Sequence, residues 1–247
     1  MARRIAELAE VGPGDHVLEV GAGLGSLTLA LAGAGALVLA VEFDQRLLPA
    51  LQEVVALLAN VTVLSADATD VDWPAVLGEG RWVMASNLPY NVAVPVVMDL
   101  LERAPGIERY VVMVQREVGE RLAARPGDEQ YGAVSVRVAY RADADVLRRV
   151  PASVFWPRPS VESVLVRLTP HPPRVAAPPE RLFAVIEAGF AERRKTMRNA
   201  LRRMGFDAST ADGVLSRCGI PPRARAETLA LEDFARVASR LAEGDSG

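Results

Sequence analysis

The chain has 247 residues, half of them hydrophobic, with a net charge of −3; that length holds one large domain or two unequal ones, and the charge balance gives no overall nucleic-acid signature. A single cysteine, Cys218, excludes an intramolecular disulfide and zinc sites built on several cysteines, and the two histidines, His16 and His171, stand without metal-ligand spacing, so no metal is expected. There is no run of about 18 apolar residues that would span a membrane, and Met1-Ala2-Arg3-Arg4-Ile5 has no signal-peptide core; a cytoplasmic enzyme is the expectation.

In chain order, an amphipathic helix over 5–9 leads through the turn Val11-Gly12-Pro13-Gly14-Asp15 into a buried strand over 16–20. Gly21-Ala22-Gly23-Leu24-Gly25-Ser26 then turns the chain into a helix over 27–34. Strands follow over 37–41, ending at Glu42, over 61–65, ending at Asp67, and over 81–86, ending at Asn87, with a helix over 45–58 between the first two. Strands alternating with helices through short connections predict an α/β fold with a doubly wound, mostly parallel, Rossmann-like sheet. Beyond Tyr90 the pattern gives a helix over 94–102, a strand over 109–115 and a helix over 117–124. Residues 131–141 stay open between helix and strand, because Val134, Val136 and Val138 fit either. Strands over 144–150 and 163–169 flank the stiff loop Val154-Phe155-Trp156-Pro157-Arg158-Pro159. A connector with five prolines over 170–179 precedes purely helical patterns over 180–203, 208–217 and 231–241. The domains are therefore expected to be a catalytic sheet domain over 1–170 and a small all-helical domain over 178–247.

In an open α/β sheet, ligands bind at the C-terminal strand ends. The glycine turn lets a backbone approach a ligand and presents helix N–H groups. Alone it is weak, since any tight strand–helix turn needs glycine, and its Gly-x-Gly-x-Gly order departs from the dinucleotide fingerprint. Glu42 can accept both hydroxyls of a ribose, or be a solvated loop acid. Asp67 can accept an adenine amino group while the Ala68 N–H donates to the ring, or be an N-cap. Together the three ends suit an adenosine-containing cofactor with no pyrophosphate requirement. The fourth end, Asn87-Leu88-Pro89-Tyr90, separates cofactor classes. An exocyclic base amine is a poor nucleophile because its lone pair is delocalised. The Asn87 side-chain oxygen and the Leu88 carbonyl can accept its two N–H bonds, Pro89 fixes the turn and Tyr90 can stack on the base, so catalysis is positioning plus placed dipoles. A dehydrogenase has no need of this tetrapeptide.

Residues 190–203 carry six cations, Arg193, Arg194, Lys195, Arg198, Arg202 and Arg203, against one acid, Glu192. On a continuous helix Arg194, Arg198 and Arg202 share a face, and such a row either tracks phosphates or is a solvated surface.

The chain resembles class I S-adenosylmethionine-dependent methyltransferases, and more closely the rRNA adenine N6,N6-dimethyltransferase family. The resemblance rests on residues 17–25, Val41-Glu42-Phe43-Asp44, Ala66-Asp67-Ala68, Asn87-Leu88-Pro89-Tyr90-Asn91, residues 113–118, 131–136 and 154–163, Arg193-Arg194-Lys195-Thr196-Met197-Arg198-Asn199 and Arg223-Ala224-Arg225-Ala226-Glu227, and covers essentially the whole chain. It implies S-adenosylmethionine bound by Gly21, Ala22, Gly23, Glu42, Phe43, Asp67, Ala68 and Asn87. It implies a target adenine held by Asn87, Leu88, Pro89 and Tyr90, with Phe155 as a second aromatic wall for a base taken out of its stack. Arg193, Arg194, Lys195, Arg198 and Arg202 are implied to bind RNA. The bacterial members most similar to this sequence dimethylate two adjacent adenosines in a hairpin loop near the 3′ end of small-subunit rRNA during 30S assembly; this chain is expected to be a monomer with small-subunit rRNA and the immature 30S particle as partners. Family members carry an N-terminal arm with a Gln-(Asn/His)-Phe-Leu segment before the first helix. This sequence begins inside that helix, so the expectation is either that it is a piece of a longer chain or that the cofactor site is partly open. Two rival readings share the fold: a macrolide-resistance-type enzyme of the large subunit, which more often has Ile where Leu88 stands, and a non-catalytic rRNA-binding assembly factor.

Overall fold

A computed structural model describes residues 1–89, 92–156, 158–192 and 194–244. Along the chain these form α1 (Ala2–Ala9), β1 (His16–Val20), α2 (Ser26–Gly33), β2 (Leu37–Glu42), α3 (Leu48–Val55), β3 (Val61–Ser65), α4 (Trp73–Leu77) and β4 (Trp82–Asn87). There follow α5 (Ala93–Arg103), β5 (Ile107–Gln115), α6 (Arg116–Ala123), α7 (Ala133–Arg141), β6 (Ala142–Val150) and β7 (Ser163–Pro170). The remainder is helical: α8 (Pro179–Phe190), α9 (Met197–Arg203), α10 (Ala208–Arg217) and α11 (Leu231–Gly244).

The chain divides into two compact units, one of Met1–Glu120 with Ala142–Pro170, the other of Arg121–Arg141 with His171–Gly247. In the first, seven strands form one sheet in the order β3-β2-β1-β4-β5-β7-β6. The first five are parallel, and β7 runs antiparallel to both β5 and β6. The central strands are continuous apolar runs because helices cover both faces, the usual signature of parallel sheet: Val17, Leu18, Ala85, Val111 and Leu165 are fully buried. The expected doubly wound Rossmann-like sheet is present. The helix expected over 45–58 is shorter, and α4 lies in a stretch where no element was expected; its Trp73 is fully buried.

The second unit corrects the expected boundary. The chain crosses between units three times, at 120/121, 141/142 and 170/171, rather than once after residue 170. The reason lies in residues 131–141, which the valine spacing left open. They form α7, with Ser135, Val136, Val138 and Tyr140 buried. Val136 and Tyr140, four apart on one helical face, join the core built by Leu182, Ile186, Leu215 and Phe234. The Tyr140 ring meets Phe183 edge-on at 5.4 Å, and the Tyr131 hydroxyl donates to the Leu229 carbonyl at 2.7 Å. Aromatic side chains therefore commit this segment to the helical core.

Within the sheet unit, α6 presses on β7 through Gly119. A Cβ there would stand 2.2 Å from Val164 Cγ2 and 2.8 Å from Val166 Cγ2. Gly119→Ala is expected to destabilise the protein by about 1–3 kcal/mol through overpacking, read as a lower urea midpoint; an unchanged midpoint would show that α6 can lift off the sheet without cost.

Candidate active site

The strand order reverses at β1, which lies between β2 and β4, and that reversal opens a crevice at the C-terminal ends of β1 and β4. Pairing of β1 with β4 stops at Leu18↔Met84, while pairing with β2 continues to Val20↔Val41. The strands part, and the Val20 N–H, facing β4, donates instead to the Ser86 hydroxyl at 2.9 Å. Ser86 is fully buried, so this bond satisfies a backbone donor that water cannot reach. One residue on, Gly21 takes a left-handed φ of 79°, and a Cβ there would lie 3.0 Å from Pro89 Cδ. Only glycine both adopts this φ without strain and admits Pro89 so close. The two strand ends that carry the glycine turn and the Asn-Leu-Pro segment are thus in contact.

Glu42 organises the wall beside them. It is buried; its Oε2 accepts the Gly23 N–H at 2.7 Å and its Oε1 accepts the Asp44 N–H at 2.7 Å. Each carboxylate oxygen keeps a further lone pair for a ligand hydroxyl. Asp67 Oδ1 accepts the Thr69 backbone N–H at 2.9 Å and the Thr69 hydroxyl at 2.7 Å, bonds that hold its carboxyl below the usual range, so it is ionised. These groups line a cleft of about 700 Å³ together with Gly21, Gly23, Phe43, Ala68, Asn87, Leu88, Pro89 and Phe155. The Asn87 side chain is exposed and has no partner among the described residues. Leu88 is buried, its N–H donating to the Met113 carbonyl at 3.0 Å, which fixes the peptide whose carbonyl was expected to accept from an amine. Phe155 is half-buried and rests on the sheet core.

One expected residue stands differently. Ala22 is buried in the core under the turn and does not line the cleft. Tyr90 lies outside the described residues, as does Arg193. Trp156, Pro159, Leu47, Val92 and Val96 also line the cleft, and sequence reasoning did not single them out. Trp156 was within reach, since it sits in the Pro-rich loop beside Phe155, but nothing in its type says which way it points. A second cleft, of about 800 Å³, lies at the opposite strand ends around His16 and Trp82. Its Arg81 and Arg109 are already paired with Glu108 and Glu10 at 2.6 and 2.9 Å.

Glu19, one residue before the end of β1, is the buried carboxyl that sequence reasoning passed over. Its Oε2 accepts the Thr28 hydroxyl at 2.6 Å, tying β1 to α2. Burial pushes its pKa from the ordinary 4.5 up to about 8, against the pull of the Thr28 bond and with a push from Glu42. Between those values the folded chain holds a proton that the unfolded chain has released, so stability falls as pH rises from about 4.5 to about 8 and levels off above. Glu19→Gln keeps an acceptor for Thr28 and removes the titration. It is expected to flatten this fall, measured by denaturant unfolding at a series of pH values; identical slopes for both proteins would place the titration elsewhere.

The basic segment is not one helix. α8 ends at Phe190 and α9 begins at Met197, so Arg194 lies in the connection and the expected row Arg194, Arg198, Arg202 does not form. The break has a tertiary cause. Met197 is fully buried, packed beside Gly189 and Phe234, and its N–H donates to the Ala224 carbonyl at 2.9 Å instead of to the preceding turn. Arg198 is committed to Asp212, with Nη2 donating to Oδ2 at 2.8 Å, and Arg203 is paired with Glu192. Arg194, Lys195 and Arg202 are exposed and have no ion pair among the described residues. Lys195, Asn199 and Arg202 border a cleft of about 580 Å³ that ends at Asp207 and Ala208.

A mostly parallel sheet that reverses at β1, with a glycine turn, a buried carboxylate at the end of β2 and an Asn-Leu-Pro strand end, belongs to the class of Rossmann-like methyltransferases. Comparison with known proteins narrows the class. The sequence profile of the ribosomal RNA adenine dimethylase family matches residues 1–243. The chain is 43% identical to ribosomal RNA small subunit methyltransferase A of Moorella thermoacetica, covering 98% of this chain and 88% of that protein. It is 48% identical to the protein of the same name from Thermobifida fusca, covering 96% and 84%. Among solved structures, 23S rRNA methyltransferase ErmE superposes with a TM-score of 0.72 at 27% identity, over 98% of this chain and 96% of that one. A dimethyladenosine transferase from Plasmodium falciparum shares the fold with a TM-score of 0.81 at 22% identity, over 99% and 96%. The chain belongs to the ribosomal RNA adenine dimethylase family.

Proposed function

We propose that this protein transfers methyl groups from S-adenosylmethionine to the N6 amines of two adjacent adenosines in a hairpin loop near the 3′ end of small-subunit rRNA, in the cytoplasm and on the immature 30S particle. The observation that supports the reading is the close approach of Gly21 to Pro89, which brings the glycine turn next to the Asn-Leu-Pro segment. The cleft fits the cofactor: Glu42 keeps lone pairs for ribose hydroxyls, ionised Asp67 keeps Oδ2 for an adenine amino group, and Gly21 and Gly23 leave the floor open. Once bound, S-adenosylmethionine supplies an electrophilic sulfonium methyl group. The chain's own residues then orient the acceptor. Asn87 Oδ1 and the Leu88 carbonyl accept the two N–H bonds of the amine and turn its lone pair toward the methyl, and Phe155 offers a ring to the base. The proton leaves to water after transfer, so no side-chain base is required. The likeness to ErmE keeps a large-subunit substrate in view, but the relatives at 43% and 48% identity both carry the small-subunit name.

The direct test is incubation with labelled S-adenosylmethionine and undermethylated 30S or 50S particles, followed by mapping of the modified adenines. Label is expected in 30S alone, and label confined to 50S would reverse the substrate. Asn87→Ala is expected to lower kcat by at least about a hundredfold, the scale of a lost positioning dipole. An Asn87→Ala protein with full turnover would remove the clamp from the mechanism.

Within the basic segment 190–203, the cations without an ion pair among the described residues are Arg194, Lys195 and Arg202. Replacing the three by Glu is expected to weaken rRNA binding at fixed salt and to lessen its salt dependence by roughly one unit of slope per lost contact. Cofactor affinity, read by calorimetry, stays unchanged. RNA affinity and slope equal to those of the parent protein would return this segment to a solvated surface.

A further inference from the structure

Trp156 is 97% exposed, while the other two tryptophans, Trp73 and Trp82, are buried. An indole left almost wholly in water is the wrong side chain for an idle surface, since it presents one of the largest apolar areas of any residue. Its place is also not arbitrary, because it borders the same cleft as Asn87, Leu88 and Phe155.

The loop that carries it is held in shape. Pro151 opens a single tight turn in which the Val154 N–H donates to the Pro151 carbonyl at 3.1 Å and the Phe155 N–H to the Ala152 carbonyl at 3.2 Å. Phe155 then has extended backbone, φ −106° and ψ 149°, and in extended chain successive side chains point to opposite sides. Phe155 turns in and rests on the sheet core, so Trp156 turns out at the rim. Two residues further on, Arg158 is exposed and unpaired among the described residues. An exposed aromatic platform at the rim of the cleft, two positions along the chain from an exposed guanidinium, matches single-stranded nucleic acid: the ring stacks on a base and the cation meets a neighbouring phosphate.

We propose that Trp156 is a substrate-positioning residue that stacks on the nucleotide flanking the target adenosine, with Arg158 on the intervening phosphate. This rests on the adenosine-methylation reading of the cleft and adds how the neighbouring base is held while the target is out of its stack. A strand that delivers one base into the cleft has to lay the next across the rim, and the exposed indole there gives that base a surface of its own. Because every base has a π-face, the contact raises affinity for unpaired RNA without naming the base.

Tryptophan emission reads this residue directly, since Trp73 and Trp82 are sheltered. The full chain is titrated with an oligoribonucleotide hairpin whose loop contains two adjacent adenosines. Wild-type emission is expected to quench with the same midpoint as RNA binding. Trp156→Phe is expected to lose the quenching and keep affinity and KM within about threefold. Trp156→Ala is expected to lose roughly tenfold in RNA affinity, the scale of one base–aromatic stack, with a raised KM for RNA, an unchanged kcat and an unchanged cofactor titration. The proposal is overturned if wild type binds and methylates the hairpin with no change in emission, or if Trp156→Ala matches wild type in affinity and KM. It is overturned equally if emission responds to S-adenosylmethionine alone or to protein concentration alone, which would assign the indole to the cofactor or to a second copy. A wild-type protein that methylates no adenosine in 30S particles counts against the reading of the cleft itself, a result independent of the emission measurement.

Discussion

The cleft depends on how β1 and β4 separate beyond Leu18 and Met84. Two strands that part at a sheet's reversal point leave backbone donors in a dry interior, and an unsatisfied buried N–H costs on the order of 1–3 kcal/mol. The Ser86 hydroxyl takes the Val20 N–H, so the strands diverge without that penalty. Gly21 and Pro89 then meet across the gap. The crevice is thus a consequence of strand topology, and its two walls are held in register by one serine and one glycine.

Its electrostatics follow from burial. Two carboxyls, Glu19 and Glu42, lie near one another behind the glycine turn, and they are managed in different ways. Glu42 faces the cleft and has both oxygens anchored by loop N–H groups, which fixes its carboxylate in place as an acceptor. Glu19 is sealed under α2 with a hydroxyl donor, and burial keeps its proton on across neutral pH. Ser86 and Glu19 are both polar groups in an apolar core, and each has a partner, as such groups must.

The helical unit shows packing overriding local propensity. Residues 180–203 read as one helix because their hydrophobic spacing continues through a run of good helix formers. The core under α11 needs Met197, and satisfying it ends α8 at Phe190, places Thr196 in extended backbone and gives the Met197 N–H to Ala224. The cations are sorted by the same event. Arg198 and Arg203 turn to acids of their own unit, and Arg194, Lys195 and Arg202 stay in solvent. A row of charges on a helical wheel became a turn and a short helix.

The sequence by itself determined the sheet, its alternation with helices and the four strand ends, because buried parallel strands are continuous apolar runs and the turns after them carry residues whose chemistry is local. Gly21, Glu42, Asp67, Asn87 and Leu88, which line the cleft, were legible because each residue type has a short menu of roles at a strand's C-terminal end, whereas Phe155 entered through the family resemblance. Only the tertiary structure decided that α7 belongs to the helical core, that Ala22 lies under the turn, that Glu19 is sealed and protonated, that the basic helix breaks, and that Trp156 faces outward. These are questions of which neighbour a side chain meets, and spacing along one chain does not encode contacts between residues as distant as Tyr131 and Leu229 or Val20 and Ser86.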